Sequence, residues 1–289
     1  AMQMFFAFIM LAVMFIMRPG AAVSAGRIAD VLEIEGSVRD KESPASFGPD
    51  FQGSVEFRDV CFRYPGAEED VLHDISFTAM PGETTAIIGA TGSGKSSVVS
   101  LIPRFYDASA GQILVGGIDV RELAQDKLRD KIGFVPQKAS LFSGTIESNL
   151  RYADEDASIE SLEGAARIAQ ATEFIAESPE GMAMPISQGG GNVSGGQKQR
   201  LSIARALVKK PPIYVFETDS SLRRARKAET GTSTVIIVTQ RVATVKKADR
   251  IIVLDEGRIV GSGKHEELMK SCETYREIAT SQLSEEELR

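Results

Sequence analysis

The chain has 289 residues, which is enough for one large domain or two small ones with a substantial hydrophobic core. Its composition, 43% hydrophobic and 25% charged with 26 glycines, argues against a disordered chain, and its net charge of −7 disfavours nucleic acid as a partner. The two cysteines, Cys61 and Cys272, lack the spacing of a metal or redox site, so we expect a reducing cytosolic environment rather than a disulfide scaffold.

The first segment, Met2 to Met17, is apolar except for Gln3. A complete membrane span needs about 20 such residues, and this run begins abruptly at Ala1. A signal peptide and a buried core helix are the alternatives, but the segment lacks a basic start and is apolar all round rather than on one face. We favour the end of a transmembrane helix in contact with membrane lipid, with Arg18 and Arg27 on the cytosolic side, as the positive-inside rule expects.

After the apolar segment, the pattern changes twice. Helical spacing resumes after Pro19-Gly20 over residues 21–34, and residues 35–53 form a predicted linker rich in Gly, Pro, Ser and charge. From Ser54 onward, alternating apolar residues and later short β-branched runs indicate strands, several of them separated by helical patterns. These features predict an α/β domain with a mostly parallel sheet and an antiparallel β portion at its start.

A glycine-rich loop lies between a predicted strand and a predicted helix. Residues 85–97 read TAIIGATGSGKSS and match the pattern G-x4-G-K-[ST], whose backbone N–H groups surround phosphate oxygens at the start of a helix. We expect Lys95 to bind the β and γ phosphates of a nucleotide and the Ser96 hydroxyl to bind Mg²⁺. The candidate nucleotide-binding residues are Gly89, Ala90, Thr91, Gly92, Ser93, Gly94, Lys95, Ser96 and Ser97.

A second glycine cluster lies further along the chain. Ser194, Gly195, Gly196 and Gln197 precede a helical pattern over residues 201–208. A serine and exposed N–H groups at a helix start form a second phosphate-binding end, although a simple helix cap with flexible glycines explains the same residues. If both ends bind phosphate, the economical explanation is that they serve different nucleotides across a dimer.

Three motifs, in this order, closely resemble the nucleotide-binding domain of ATP-binding cassette exporters: GATGSGKSS, VPQKASLFSGTIESNL and NVSGGQKQRLSIARAL. The resemblance covers residues 54–282. It implies a P-loop NTPase cassette with a mostly parallel sheet, an antiparallel β subdomain, and a helical signature subdomain over about residues 139–197. Residues 1–34 resemble the end of the last transmembrane helix and its cytosolic extension, and residues 283–289 would form a C-terminal tail.

The resemblance also implies roles for single residues. Tyr64, in the segment FRYPG, would stack on adenine, although without the family it reads equally well as a strand residue. Gln137 would sense Mg²⁺ and the γ-phosphate and face the transmembrane domain. Residues 194–197 would be the signature of the family, which completes the ATP site of the opposite subunit. The implied cofactors are therefore ATP and Mg²⁺, with Ser96 and Gln137 as metal ligands.

The catalytic acids of this family are difficult to place in the stretch after Phe216. The family carries an Mg²⁺-binding aspartate, a catalytic acid and an S-A-L-D loop there, whereas this chain reads ETDSSLRRARKAE. Either Glu217 replaces the aspartate and Thr218 the acid, or several residues are deleted and ETDSSLRR belongs to the next helix. We favour the deletion because the next strand follows after a short distance, which makes Glu217 a doubtful catalytic residue. Such a deletion is either a pseudo-ATPase feature or a gap in the sequence.

Gln240 follows the next predicted strand, where family members active at this site usually carry a histidine. A neutral amide can hydrogen-bond the γ-phosphate but cannot carry the charge of an imidazolium, so Gln240 is a weak catalytic candidate. Loss of a positioned general base lowers a rate by about 10²–10⁴-fold. The pattern resembles the degenerate half of heterodimeric exporters, while the intact signature can still complete a partner's site.

Together these features predict an ATP-binding subunit that couples ATP binding and hydrolysis to export, with its own ATP site degenerate. We expect a cell-membrane location with the cassette in the cytoplasm, a second cassette subunit in a heterodimer or less readily a homodimer, an unknown transported substrate, and no nucleic acid. The alternatives are a regulatory module that binds ATP without hydrolysing it, and a soluble cassette ATPase acting on DNA or ribosomes. The soluble ATPase would carry a long coiled-coil insertion or a basic face, and the sequence shows neither.

Overall fold

The computed structural model describes residues 2–34, 36–217 and 231–283, and the chain divides into two compact units, residues 1–39 and 40–289. The first unit contains helix α1 (Met2–Leu32), which continues through Pro19 without a break. The sequence predicted that the helix stops at Pro19-Gly20 and resumes after it, whereas the structure shows one continuous helix. The alanines that follow are strong helix formers, and they compensate for the one main-chain N–H that proline lacks. None of the described residues of α1 is buried. With a mean hydropathy of 2.0 over its best 18-residue window, α1 is long and apolar enough to cross a membrane.

The centre of the second unit is a six-stranded sheet. Its strands are β3 (Thr84–Ile88), β6 (Ile132–Val135), β9 (Ile213–Glu217), β10 (Thr234–Val238), β11 (Arg250–Asp255) and β12 (Arg258–Gly263). They follow the order β12-β11-β3-β10-β9-β6, in which all neighbours are parallel except the edge strand β12. Every residue of β3 and β10 is buried, as expected for central strands of a parallel sheet covered on both faces.

A second, antiparallel sheet covers part of the first. It has the order β2-β1-β4-β5 and comprises β1 (Val55–Phe62), β2 (Leu72–Ala79), β4 (Ala110–Val115) and β5 (Ile118–Asp119). Its inward side chains share one core with β9, β10 and helix α2 (Lys95–Leu101), and the rings of Phe57 and Phe77 stack in this core with centroids 4.6 Å apart. The predicted fold class, a mostly parallel sheet with an antiparallel β subdomain, is confirmed.

Most of the helices lie in two groups. Helix α3 (Gln125–Asp130) leads into β6. The first group shares a core with Tyr214 and Phe216 of β9 and comprises α4 (Ile146–Arg151), α5 (Ile159–Ile168), α6 (Thr172–Glu177) and α7 (Gly195–Val208). The short strand β8 (Pro185–Ile186) adds Ile186 to this core and pairs with β7 (Gly144–Thr145). The second group packs against β3 and β11: α8 (Val242–Val245), α9 (His265–Ser271) and α10 (Glu273–Gln282). Helix α7 begins at Gly195, six residues before the predicted helical pattern, because the glycines supply no apolar periodicity.

The stretch predicted as a linker contacts the cassette from residue 40 onward. The Asp40 carboxylate accepts hydrogen bonds from Gln125, Lys41 forms a 2.6 Å ion pair with Glu122, and Ala45 pairs with Leu123 in an isolated β-bridge. Two aromatic side chains, Phe47 and Phe51, are partly buried against the core of the antiparallel sheet. The Gly, Pro and Ser content of this stretch does not reveal those contacts, since they depend on individual charged and aromatic residues.

Candidate nucleotide-binding site

One cavity of about 260 Å³ lies at the carboxyl ends of β3, β9 and β10. In open parallel sheets this edge is where ligands bind, since loops and helix starts converge there. The cavity is lined by Val71, Thr91, Gly92, Gly94, Lys95, Ser96, Ser97, Gln137, Glu217, Val238, Thr239 and Gln240. The structure thus brings residues of the glycine-rich loop together with Gln137, Glu217 and Gln240, which are far apart in the sequence.

Two glycines of the loop are required by their surroundings. Gly94 has φ +95°, in the left-handed region, and ends the loop directly before α2. A Cβ on Gly89 would lie 2.0 Å from the main-chain oxygen of Leu254 on the neighbouring strand β11. Side chains at these positions would force the loop away from the sheet, so the glycines allow the main chain to fold tightly around the cavity.

The side chain of Lys95 folds back into the glycine-rich loop. Its side chain is buried, with 7% exposed, and Nζ donates hydrogen bonds to the main-chain oxygens of Gly89 at 2.9 Å and Ala90 at 2.5 Å. Nζ also lies 3.2 Å from the Ser93 hydroxyl. These bonds fix an ammonium charge at the wall of the cavity, where a phosphate group would meet it at close range.

The two serines that follow Lys95, Ser96 and Ser97, differ in their surroundings. Ser96 is exposed and lines the cavity, so its hydroxyl is available to a ligand there. The buried Ser97 also lines the cavity, and its hydroxyl lies 2.9 Å from the hydroxyl of Tyr64. Tyr64 itself is not among the cavity-lining residues, and its ring packs edge-on against Phe62 and Tyr106, at centroid distances of 4.7 and 5.2 Å. Adenine stacking on Tyr64 stays a prediction.

The other predicted residues reach the cavity from the ends of separate strands. Gln137 follows β6 and is exposed, while Glu217 is the last residue of β9 and is partly buried. Because Glu217 pairs in register with Val238 of β10, it belongs to the sheet. The favoured interpretation, which placed ETDSSLRR in a helix, is therefore wrong at Glu217. Thr218 and the S-A-L-D question lie outside the described residues.

Gln240 follows β10 and faces the glycine-rich loop. Its side-chain Nε2 donates to the Thr91 hydroxyl at 3.3 Å, and both residues line the cavity. Sequence reasoning missed three other lining residues, Val71, Val238 and Thr239, because none of them belongs to a motif. Val238 and Thr239 end a buried apolar run, so the rule that ligands bind at the carboxyl ends of parallel strands would have indicated them.

The signature residues are located at the start of α7 and do not line this cavity. Ser194 is the N-cap of the helix, and its hydroxyl accepts from the Gln197 N–H at 3.3 Å while the Gln197 side chain accepts from the Ser194 N–H at 2.8 Å. Both Gly195 and Gly196 are exposed, with nothing within 4 Å of where a Cβ would be. The reciprocal cap orders this helix start and leaves the glycine main chain open to a ligand from outside.

The family model for ABC transporters matches residues 72–217, which include the glycine-rich loop, the signature and β9. The chain belongs to the ABC transporter family. The family is one of transporter ATPases, so the match confirms the predicted family and the nucleotide-binding fold.

Three comparisons place this ABC chain among its relatives. It is 45% identical over 276 residues to an uncharacterised ABC transporter ATP-binding protein of Mycobacterium tuberculosis, covering 91% of this chain and 47% of that protein. It is 39% identical over 244 residues to the ATP-dependent lipid A-core flippase of Haemophilus ducreyi, covering 81% and 42% respectively. The structure of a bacterial Atm1-family ABC exporter with ATP bound matches 98% of this chain and 51% of its own, with a TM-score of 0.90 and 32% identity. This chain spans about half the length of these proteins.

The cavity of this ABC chain presents oxygen donors that suit a magnesium ion. The Ser96 hydroxyl, the Gln137 amide and the Glu217 carboxylate all belong to cavity-lining residues, and such hard oxygen ligands are those that Mg²⁺ prefers. Within the described residues there is no group of three or more His, Cys, Asp or Glu side chains that could hold a metal.

Proposed function

We propose that this chain is the ATP-binding subunit of an ABC exporter that couples ATP binding and hydrolysis to export of a substrate. The observation that carries the proposal is the single cavity in which the glycine-rich loop around Lys95 meets Gln137, Glu217 and Gln240. A loop of main-chain amides, a buried ammonium and oxygen donors for a divalent cation are together suited to a nucleoside triphosphate.

In this proposal, different residues of the chain bind different parts of Mg·ATP. Lys95 and the main chain from Gly89 to Ser97 hold the phosphates, and Tyr64 supports the adenine end. Ser96, Gln137 and Glu217 hold Mg²⁺, which when bound neutralises charge on the phosphate oxygens. Gln240 contacts the terminal phosphate from the opposite side of the loop.

The partner in this proposal is a second ABC chain. Ser194, Gly195, Gly196 and Gln197 lie outside the chain's own cavity and leave their main chain exposed, which supports a role in closing the ATP site of another subunit. Helix α1, which is long and apolar enough for a membrane span, supports a cell-membrane location with the cassette in the cytoplasm. It also disfavours the soluble ATPase alternative.

The ATP site of this chain is proposed to be degenerate, so that a heterodimer suits it better than a homodimer. Gln240 faces the cavity with a neutral amide, which donates a hydrogen bond to phosphate but supplies no positive charge. Among the described lining residues, Glu217 is the one carboxylate. If Glu217 is engaged with Mg²⁺, no second acid from the described residues is at hand to orient water.

The experiment that tests this proposal has two stages. Isothermal titration calorimetry of the chain in detergent with Mg·ATP should show binding, and the absence of heat for a folded sample would overturn the proposal. ATP turnover is then measured for the chain alone and with its partner subunit. Turnover that rises only with the partner supports the degenerate heterodimer, rapid turnover alone contradicts the degenerate site, and binding without turnover in either case indicates the non-hydrolysing regulatory module.

A further inference from the structure

The side chain of Gln282 holds the main chain on both sides of Arg241. Its Nε2 donates a hydrogen bond to the main-chain oxygen of Gln240 at 2.8 Å, and its Oε1 accepts from the Val242 N–H at 3.0 Å. Both ends of one carboxamide are therefore used on one short stretch of main chain. Such a two-point contact restrains both the position and the orientation of that stretch.

Gln282 is itself held in place by the helix that carries it. It is the last residue of α10, and Tyr275 and Ala279 on the same helix are fully buried. They pack in one core with Val242 and Val245 of α8 and with strands β3 and β11. The side chain that reaches the turn after β10 thus starts from an element fixed against the central sheet.

Other hydrogen bonds also contribute to the shape of the turn after β10. The Thr239 N–H donates to the main-chain oxygen of Ile87 at 3.2 Å, which ties the start of the turn to β3. The Arg241 N–H donates to the Thr239 hydroxyl at 3.0 Å. The side chain of Gln282 adds hydrogen bonds to the Gln240 carbonyl and the Val242 N–H of the same turn.

The same turn presents Gln240 to the cavity. Its Nε2 donates to the Thr91 hydroxyl in the glycine-rich loop, and both residues line the cavity with Lys95. A side chain reaches a fixed point only if its own main chain is fixed. The carbonyl of Gln240, which Gln282 holds, is therefore part of what places the Gln240 amide.

We propose that Gln282 is a positioning residue that holds Gln240 against the terminal phosphate of a bound nucleoside triphosphate. The inference rests on the proposed function, in which the cavity binds Mg·ATP. It adds a residue from the far C-terminal helix that does not itself line the cavity. Because Gln240 faces only the terminal phosphate in this arrangement, Gln282 affects the binding of ATP and leaves the binding of ADP unchanged.

The test replaces the carboxamide by a side chain of similar length that forms no such hydrogen bonds, Gln282→Met. We expect the Kd for Mg·ATP, measured by calorimetry on the full chain in detergent, to rise about three- to tenfold, as loss of a hydrogen bond predicts. The Kd for Mg·ADP should stay as in the wild type. In the Gln240→Ala background, Gln282→Met should have no further effect on the Kd for Mg·ATP, because the side chain through which it acts is gone.

A second variant and a control distinguish a selective loss of ATP binding from a folding defect. Gln282→Glu keeps the acceptor for the Val242 N–H but sets an oxygen against the Gln240 carbonyl, so it should also lose ATP affinity selectively. Ser281→Ala removes a hydroxyl that donates to the main-chain oxygen of Ile278 within α10, and it should bind both nucleotides as the wild type does. Equal loss of ATP and ADP affinity, or no loss in either Gln282 variant, overturns the inference. If the wild type binds neither nucleotide, the proposed function itself fails.

Discussion

At the scale of single residues, Lys95 is both charged and buried, two properties that are seldom combined in proteins. An ammonium group with 7% of its residue exposed loses much of its hydration, and it is stable there because it donates to two main-chain oxygens and lies beside the Ser93 hydroxyl. The loop therefore holds a cation ready at the cavity before a ligand arrives. Preorganisation of this kind strengthens binding because little has to be reordered when the anion enters.

Replacement of Lys95 by methionine should weaken ATP binding. A charge-assisted hydrogen bond contributes about 1.5–3 kcal/mol, so we expect Lys95→Met to raise the Kd for Mg·ATP by about ten- to a hundredfold in calorimetry. The matched control is Lys127→Met on α3, which removes an exposed lysine paired with Asp126. Unchanged affinity in a folded Lys95→Met sample would contradict the assignment of the loop to phosphate.

Ser194 should affect the ATP site of the partner more than the site of its own chain. Ser194→Ala removes a helix cap, which costs about 1 kcal/mol of stability. In the proposed function it also removes a hydroxyl that faces the nucleotide of the partner subunit. We expect turnover at the partner's site to fall about tenfold or more. Ser158→Ala is the control, since the Ser158 hydroxyl likewise accepts from the N–H of the third residue of its helix, α5. If both variants slow turnover equally, Ser194 acts only as a cap.

At the scale of secondary-structure elements, one arginine joins the signature helix α7 to its neighbours. The Arg205 guanidinium donates to the main-chain oxygens of Asn149 and Ser140 and to the Asn149 side chain, at 2.9, 3.3 and 2.7 Å. It also lies over the ring of Phe142, 5.3 Å from the centroid. Because Ser140 and Phe142 follow Gln137 closely in sequence, α7 is tied to the segment that leaves the cavity.

Helices α9 and α10 should make stability depend on pH. His265 is buried and its Nδ1 lies 2.8 Å from the Tyr275 hydroxyl. Burial, together with the nearby charge of Lys246, holds the pKa of His265 below its usual value of 6.5. The unfolded chain therefore takes up a proton at a pH where the folded chain does not. Stability is full above about pH 6.5 and declines as the pH falls toward the lower pKa of the folded state.

The variant His265→Gln should remove that component of the pH dependence. We expect the thermal midpoint of the wild type, followed by circular dichroism, to fall more steeply between pH 7 and pH 5 than that of His265→Gln, because the glutamine does not titrate. The variant His73→Gln keeps His265 and should retain the steep fall. Parallel curves for the wild type and His265→Gln would show that burial of His265 does not penalise its charged form.

At the scale of the whole molecule, the two compact units differ in whether they bury their apolar side chains. Helix α1 exposes its apolar side chains, and none of its described residues is buried. Residues 40–289 enclose three hydrophobic core clusters of their own. A long exposed apolar helix favours a membrane over water, whereas a unit that encloses its own core needs no membrane to bury its apolar side chains.

Removal of residues 1–39 should convert a membrane-bound chain into a soluble one without loss of nucleotide binding. We expect the full chain to stay in the membrane fraction after alkaline carbonate extraction and residues 40–289 to appear in the supernatant. Calorimetry should give the same Kd for Mg·ATP in both, because no cavity-lining residue lies before Val71. A full chain found in the supernatant would contradict the membrane role of α1.

The sequence predicted local features of the structure well, but it did not predict several long-range contacts. The strand, glycine-rich loop and helix around Lys95 are consecutive in the chain, so local rules of glycine conformation and helix starts predicted them. The antiparallel β portion also followed from alternation. The contacts of residues 40–51 and the strand position of Glu217 did not, because they depend on packing and on register with residues far along the chain.

The sequence by itself determined the family, the location of the glycine-rich loop and the signature, and the apolar character of α1, because each is written in contiguous residues. The resemblance implied that Gln137 and Gln240 face the nucleotide, but only the tertiary structure decided that Glu217 joins them and Lys95 at one cavity. It also decided that Gln282, on the last described helix, holds the main chain of Gln240. The physical reason is that strand order in a parallel sheet is set by burial of whole strand faces, and this order brings distant strand ends together.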